Sequence, residues 1–360
     1  MRVTPPIDIG AASRLTSSTA ADVHNPAEYA AGTTYDIGAL VSVAADFTIY
    51  ESLQGTNLAH TPSTSPYWWR ILAPTETVWA AAQTIVQGAT RAYNNRIYEA
   101  LTAHTSGSTN TPPTLPETTN EYWTDVGPTN KWAMFDLSTN TKTAMAPGAP
   151  LTVVLAPGQR INTVGITGLS AHAVTVTATS VYGGGTVFGP VTTNLVIRNV
   201  ADGYDYAFEP FRIQPSLAHF DLPAFSDIVV TITITAATGN VKCGAVVLGT
   251  YVYLGDVQYG ARGDSINFST VTRDAWGNAT LVPRRSVDKI LCTTKVNSFG
   301  VNKIRSVRSE LNAVPALYSG LDDGSSEWFD MLLTVGIYKT FEIDASDPRQ
   351  ATIQLEVEEI

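Results

Sequence analysis

In the segment Val229 to Thr235, apolar residues and threonines alternate from Val230 onward, the period-two pattern of a strand with one face in a core. Segments 151–155, 161–166, 174–179, 187–191 and 228–235 read as strands in the same way, with Gly183-Gly-Gly185 and Gly239-Asn240 as turns between them. Strands at this spacing, without helical patterns in between, predict a β-sandwich of jelly-roll or galactose-binding-like type over residues 130–250. Beyond it the period changes once. Val301, Ile304, Val307 and Leu311 recur at three and four residues, one face of a short helix, and Pro315 lies just past its end. Phe341-Glu-Ile-Asp344 and the 352–358 segment alternate apolar with acidic residues, which predicts half-buried strands. Residues 251–360 are therefore expected to form a β-rich C-terminal domain with one short helix.

A repeat organises the part before the sandwich. Ile49-Tyr-Glu-Ser-Leu53 leads through a Thr, Ser and Pro-rich loop to Pro66-Tyr-Trp-Trp-Arg-Ile71, and Ile97-Tyr-Glu-Ala-Leu101 leads in the same way to Glu121-Tyr-Trp-Thr-Asp-Val126. Two small modules, 26–75 and 76–129, are expected. Gly38 marks a turn in the first, Phe47-Thr-Ile-Tyr50 reads as a strand, and Asn94-Asn95 is a hairpin turn in the second. Modules this small must draw much of their core from aromatic residues. Residues 1–25 have no clear period and read as an arm that pairs with a later domain or stays mobile.

Composition sharpens the class. The 360 residues are 44% hydrophobic and 15% charged, a balance that with abundant Thr, Ser, Gly and Val predicts a mainly β, multi-domain protein. A net charge of -10 argues against nucleic acid as partner, because Arg284-Arg285 and the group Lys303, Arg305, Arg308 are the only basic concentrations. Cys243 and Cys292 are too few for a disulfide framework or a cysteine-rich zinc site, and one bridge between them stays open. Without a signal-peptide pattern or a long apolar run, the reading is of a protein made in a cytoplasm and not inserted in a membrane.

Catalytic patterns are missing. His24, His60, His104, His172 and His219 are scattered, no nucleophile elbow occurs, and neither metal nor cofactor is expected. Asp322-Asp323 and Glu356, Glu358 and Glu359 are the acidic groups from which a hydrolytic pair would have to come. Arg262-Gly-Asp264 matches an adhesion tripeptide, for which a turn between strands is a sufficient account. Aromatic residues carry the remaining chemistry, since a pyranose stacks its C–H face on such rings while its hydroxyls take nearby hydrogen bonds. Tyr35, Tyr50, Trp68 and Trp69 in the first module and Tyr93, Tyr98, Tyr122 and Trp123 in the second are the candidate platform, with core packing as the competing role of each. Trp68 and Trp69 point to opposite faces if both lie in a strand, which puts at least one outside. On the platform reading, replacing Trp68, Trp69 and Trp123 by Ala lowers binding without unfolding.

Both stretches resemble the small chitin- and cellulose-binding modules that accompany bacterial glycosidases, whose pattern runs Tyr-x-x-Gly-x-x-Val, a Tyr-containing strand, a Pro-containing loop and Tyr-Trp-x-x-Val. Tyr35-x-x-Gly38-x-x-Val41, Tyr50, Pro62 and Trp68-x-x-Ile71 match it in order. The second copy matches from Tyr98 through Pro113 to Trp123-x-x-Val126, and its first part is missing or scrambled. The whole chain is similar to structural proteins of tailed-bacteriophage tails, on the opening Met1-Arg-Val-Thr-Pro-Pro-Ile7, Gly127-Pro-Thr-Asn-Lys-Trp-Ala-Met-Phe-Asp136, Gly277-Asn-Ala-Thr-Leu-Val-Pro-Arg-Arg285 and Val335-Gly-Ile-Tyr-Lys-Thr-Phe-Glu342. That resemblance implies a noncatalytic virion component, homo-oligomeric and attached to other tail proteins, that displays carbohydrate-binding modules toward a host cell-surface glycan. Two rival readings stand beside it: a purely architectural adaptor whose modules bind protein, and a glycan hydrolase.

Overall fold

The computed structural model describes the chain except at residues 11–13, 24, 46–47, 114–119, 199, 238, 274–275, 323, 325, 327 and 346. Strands make up 46% of it and helices 8%, so the fold is mainly β. Val301–Glu310 is the one helix longer than six residues among the described residues. The predicted face is the buried one: Ile304, Val307 and Leu311 pack with Ile290, Cys292, Ile353, Leu355 and Val357.

Two compact units emerge, and the division differs from the linear order expected. One contains residues 1–19 together with 134–360, and the other residues 20–133. The expected arm is therefore split. Arg2–Thr4 pairs between Val252–Tyr253 and Ala316–Ser319, and Leu15–Ser18 pairs with Leu151–Leu155. The chain leaves the first unit after an edge strand, builds both modules, and returns to continue the same sheet.

Within the discontinuous unit, a five-stranded antiparallel sheet runs in the order Gly185–Asn194, Ala173–Ser180, Ile228–Thr235, Leu151–Leu155 and Leu15–Ser18. Alternation there becomes burial: Ile228, Val230, Ile232 and Ile234 are inside, and the residues between them are half-buried. A three-stranded sheet of Leu217–His219, Thr163–Thr167 and Ala245–Gly249 has both faces covered. On one face Ala245 and Val247 join Leu317, Leu333 and Val335 of the C-terminal sheet. Val164, Ile166, Val246 and Leu248 point the opposite way and are equally buried, as the inner row of a sandwich should be.

The third and largest sheet follows the order Val252–Tyr253, Arg2–Thr4, Ala316–Ser319, Leu333–Asp344, Gln350–Glu359, Ser286–Asn297 and Asp256–Val257, with Arg262–Asn267 also paired to Ser286–Asn297. Arg2 ties the N-terminal strand down from the side. Its guanidinium lies 4.2 Å from the Tyr251 ring centroid and 4.8 Å from that of Phe220, and its Nε is 2.8 Å from Asp322 Oδ1. Gly249 matters for the same segment, because a Cβ there would come within 2.3 Å of the Pro5 carbonyl oxygen. Gly249→Ala is expected to cost about 1–3 kcal/mol of stability, the usual range for overpacking, as measured by denaturant unfolding.

Three sequence expectations resolve here. Cys243 and Cys292 are both free and buried, and burial pushes their thiols up to about 12 and about 11, which makes them inert small hydrophobes. Arg262-Gly-Asp264 is not a turn: it lies in Arg262–Asn267, opposite Leu291, Ile290 and Lys289. Asn94 and Asn95 do form the expected turn, with φ of 48° and 69°, the two positive values a tight hairpin of this hand requires.

Candidate functional site

The modules are built by the same hydrogen bonds. In the first, Leu40–Val43, Thr48–Ser52 and Trp69–Pro74 form an antiparallel sheet, with Val41 opposite Tyr50 and Ser52 opposite Trp69. In the second, Thr90–Tyr93, Arg96–Ala100 and Trp123–Pro128 repeat it, with Arg91 opposite Tyr98 and Ala100 opposite Trp123. Gly38 N–H donates to the Ser52 carbonyl, and Gly88 N–H to that of Ala100. Leu53 N–H donates to Trp68, and Leu101 N–H to Tyr122. The bridge of Tyr35 with Asn57 reappears as the pair Ile85 with His104, and the parallel bridge of Glu28 with Ser42 as the pair Val78 with Ala92.

This correspondence corrects one reading. The opening pattern of the second copy is neither missing nor scrambled: it is Ile85-x-x-Gly88-x-x-Arg91, with Gly88 at φ 79° where Gly38 has 82°. Glycine holds the left-handed position in both, while the Tyr and Val that a comparison of residue types looks for have become Ile and Arg. Arg91 is buried at this site, and burial lowers its pKa; its Nη1 donates to the Thr90 carbonyl at 2.7 Å.

Four of the eight platform residues belong to the cores. Tyr50 and Trp69 pack with Val41, and Tyr98 and Trp123 with Ile85, Ala89 and Ala100. Trp69 is 2% exposed and Trp123 0%, so neither presents a face to a ligand. Each indole N–H is satisfied inside, donating to the His60 carbonyl at 2.8 Å and the Asn110 carbonyl at 2.7 Å respectively. The cause is scarcity: a module of about 50 residues has few other large side chains with which to close. The expectation that Trp69 and Trp123 could be removed without unfolding does not survive this placement.

The other four, Tyr35, Trp68, Tyr93 and Tyr122, are half-buried and pack against those cores from outside. Trp68 precedes the strand that Trp69 opens, and the His60 ring lies parallel to its indole at 3.9 Å between centroids, tilted by 12°. His60 is itself held with Nδ1 3.0 Å from Asn57 Oδ1, while Asn57 Nδ2 donates to Ser52 Oγ. Tyr67, 75% exposed, stands edge-on to Trp68 at 6.2 Å. One indole face is thus backed by a fixed ring, and an exposed phenol borders it. Tyr29, not singled out by the sequence reading, stacks on Tyr35 at 5.8 Å and meets Trp69 edge-on. Its counterpart Trp79 meets Tyr93 at 5.3 Å. The offset of fifty residues that relates Tyr29-Ala-Ala to Trp79-Ala-Ala was the signal that would have found both.

The second module carries a reduced version. Tyr122 replaces Trp68, Glu121 replaces Tyr67, and His104 approaches Tyr122 at 5.1 Å with the planes 61° apart, so the rings meet edge-on where His60 and Trp68 lie parallel.

The remaining candidates are tied into the scaffold. His24 and Asp323 lie outside the described residues. His172 is exposed, and burial lowers the pKa of His219. Asp322 pairs with Arg2, Glu356 with Lys289 at 2.5 Å, Glu358 with Lys339 at 3.3 Å and Glu359 with Arg285 at 3.5 Å. Among the described residues no group of three His, Cys, Asp or Glu is arranged to hold a metal, and no helix is long and apolar enough to cross a membrane. A scan against protein-family models and a search of curated proteins both return no match.

Proposed function

We propose that this chain is a noncatalytic structural protein of a phage tail that holds a host-surface glycan through its first module. The observation that carries the reading is the surface group around Trp68: an indole backed on one face by the parallel His60 ring and bordered by the exposed Tyr67. A flat apolar ring held rigidly beside a phenol suits the C–H face of a sugar, and its immobility lowers the entropic cost of binding. The second module acts as a spacer or weaker partner, which the exchange of Tyr35 for Ile85 and of Tyr67 for Glu121 supports. Copies of a weak site carried on one particle gain avidity from high effective concentration.

Trp68→Ala is expected to weaken binding to chitin-like oligosaccharides or host polysaccharide by about tenfold or more, as loss of a central aromatic anchor does, with an unchanged melting temperature. Tyr122→Ala is expected to change binding far less. A glycan array on which the wild-type protein retains nothing would sink the proposal, and release of reducing ends from the same polysaccharides would replace it with the hydrolase reading.

A further inference from the structure

Within the discontinuous unit, a cavity of about 640 Å3 lies where the end of Thr163–Thr167 meets Leu333–Asp344 and Ser286–Asn297 of the large sheet. That volume suits a small molecule. Part of the lining is apolar: Ile290, Leu333 and Val335 are at most 5% exposed. Thr167 lines the cavity from the three-stranded sheet. It stands opposite Ala245, which packs with Leu333 and Val335, so the alternation of the strand turns its side chain toward the same wall. Thr167 is 4% exposed, and its Oγ1 has no hydrogen-bond partner among the described residues. Buried hydroxyls are almost always paired, so this one marks a place for a group that the protein does not itself supply.

The charged lining is unequally satisfied. Lys289 Nζ is 2.5 Å from Glu356 Oε1, and the Arg285 guanidinium is 3.5 Å from Glu359 Oε2 while donating to the Thr139 hydroxyl and the Ile360 carbonyl. Asp264, Asp288 and Asp330 have no ion-pair partner among the described residues, and Lys142 is the one lining cation left to set against them. The Asp330 carboxylate accepts from the Ser216 hydroxyl, and burial still holds it above the ordinary carboxylate range. Burial also holds Asp288 up, with the neighbouring Glu359 and Asp330 adding to the effect. Both are anions short of a positive neighbour. Yet no group of three acidic or other metal-ligating side chains among the described residues is arranged to hold a metal ion, so the carboxyls are too dispersed to share one small centre. We propose that this cavity binds an elongated organic cation, with ammonium groups on Asp288 and Asp330 and a short methylene chain along Ile290, Leu333 and Val335. An ammonium N–H also gives the Thr167 hydroxyl the donor it lacks, and the methylenes lose contact with water against the apolar wall. The inference stands apart from glycan recognition, because it uses neither module.

Calorimetric titration of the full chain with spermidine tests it. Saturable binding is expected, weaker as salt is raised. Asp288→Asn with Asp330→Asn is expected to raise the dissociation constant by about tenfold or more, while Asn keeps the shape of each side chain and an acceptor for Ser216. Thr167→Val is expected to raise it by about threefold without lowering the melting temperature, because the hydroxyl has no partner in the free protein. Glu310→Gln with Glu342→Gln removes the same charge at exposed positions outside the cavity and should leave the affinity unchanged. Glycan binding should be the same in all of these variants, which separates failure here from failure of the adhesion reading. A wild-type protein that takes up no spermidine, or equal weakening by the two double variants, overturns the proposal. Displacement of bound spermidine by calcium ions at equal concentration also overturns it.

Discussion

Trp123→Ala is expected to unfold the second module, and Trp69→Ala the first, each with a loss of about 3–5 kcal/mol, the usual cost of emptying a buried tryptophan site. Both indoles sit at the centre of cores with few other large members and donate a hydrogen bond inward, so truncation leaves a cavity and an orphaned carbonyl together. Whole domains are stable by only about 5–15 kcal/mol, and a small module has less to lose. Urea titration followed by tyrosine and tryptophan fluorescence should show an early transition in these variants that the wild type and Trp68→Ala lack. Coincident transitions in Trp68→Ala and Trp69→Ala would mean that the two neighbours are not divided between surface and core.

The second large effect comes from the chain path. Replacing residues 23–128 by Gly-Ser-Gly is expected to leave the unit formed by 1–19 and 134–360 folded, with glycan binding abolished. Asn130 N–H donates to the Asp22 carbonyl at 3.0 Å and Thr129 Oγ1 to Asp22 Oδ1 at 3.2 Å, so the points to be joined are already neighbours and a short turn spans them. The excised 20–133 fragment is expected to fold alone and, on the adhesion proposal, to carry the glycan binding. Loss of cooperative thermal unfolding in the shortened protein would show that the modules are required for the larger unit to fold.

What the sequence disclosed follows from how regular each pattern is. The alternation of 228–235 and the spacing of Ile304, Val307 and Leu311 each have one period and one buried face, and both were legible. Ser286–Asn297, the longest strand of the large sheet together with Leu333–Asp344, was missed because its buried positions change phase, from Val287 to Ile290, Cys292, Thr294 and Val296. Arg2–Thr4 is too short to carry a period, and it is a strand only because its partners are. The same limit applies to the site. Tyr and Trp announce either a core or a sugar platform, and which one is decided by register: Tyr50 faces inward opposite Val41, whereas Tyr67 lies in a turn before the closing strand.

The insertion has a mechanical consequence. A module attached at one terminus transmits any pull through a single peptide connection, but here both ends of the 20–133 unit continue into the same neighbour. A pull applied to this unit is divided between two covalent paths. Where they meet, the bonds of Asp22 with Thr129 and Asn130, and of the Asn130 side chain with the Ala21 carbonyl, act as a clasp. A single backbone cut inside the unit leaves both halves still attached to that neighbour.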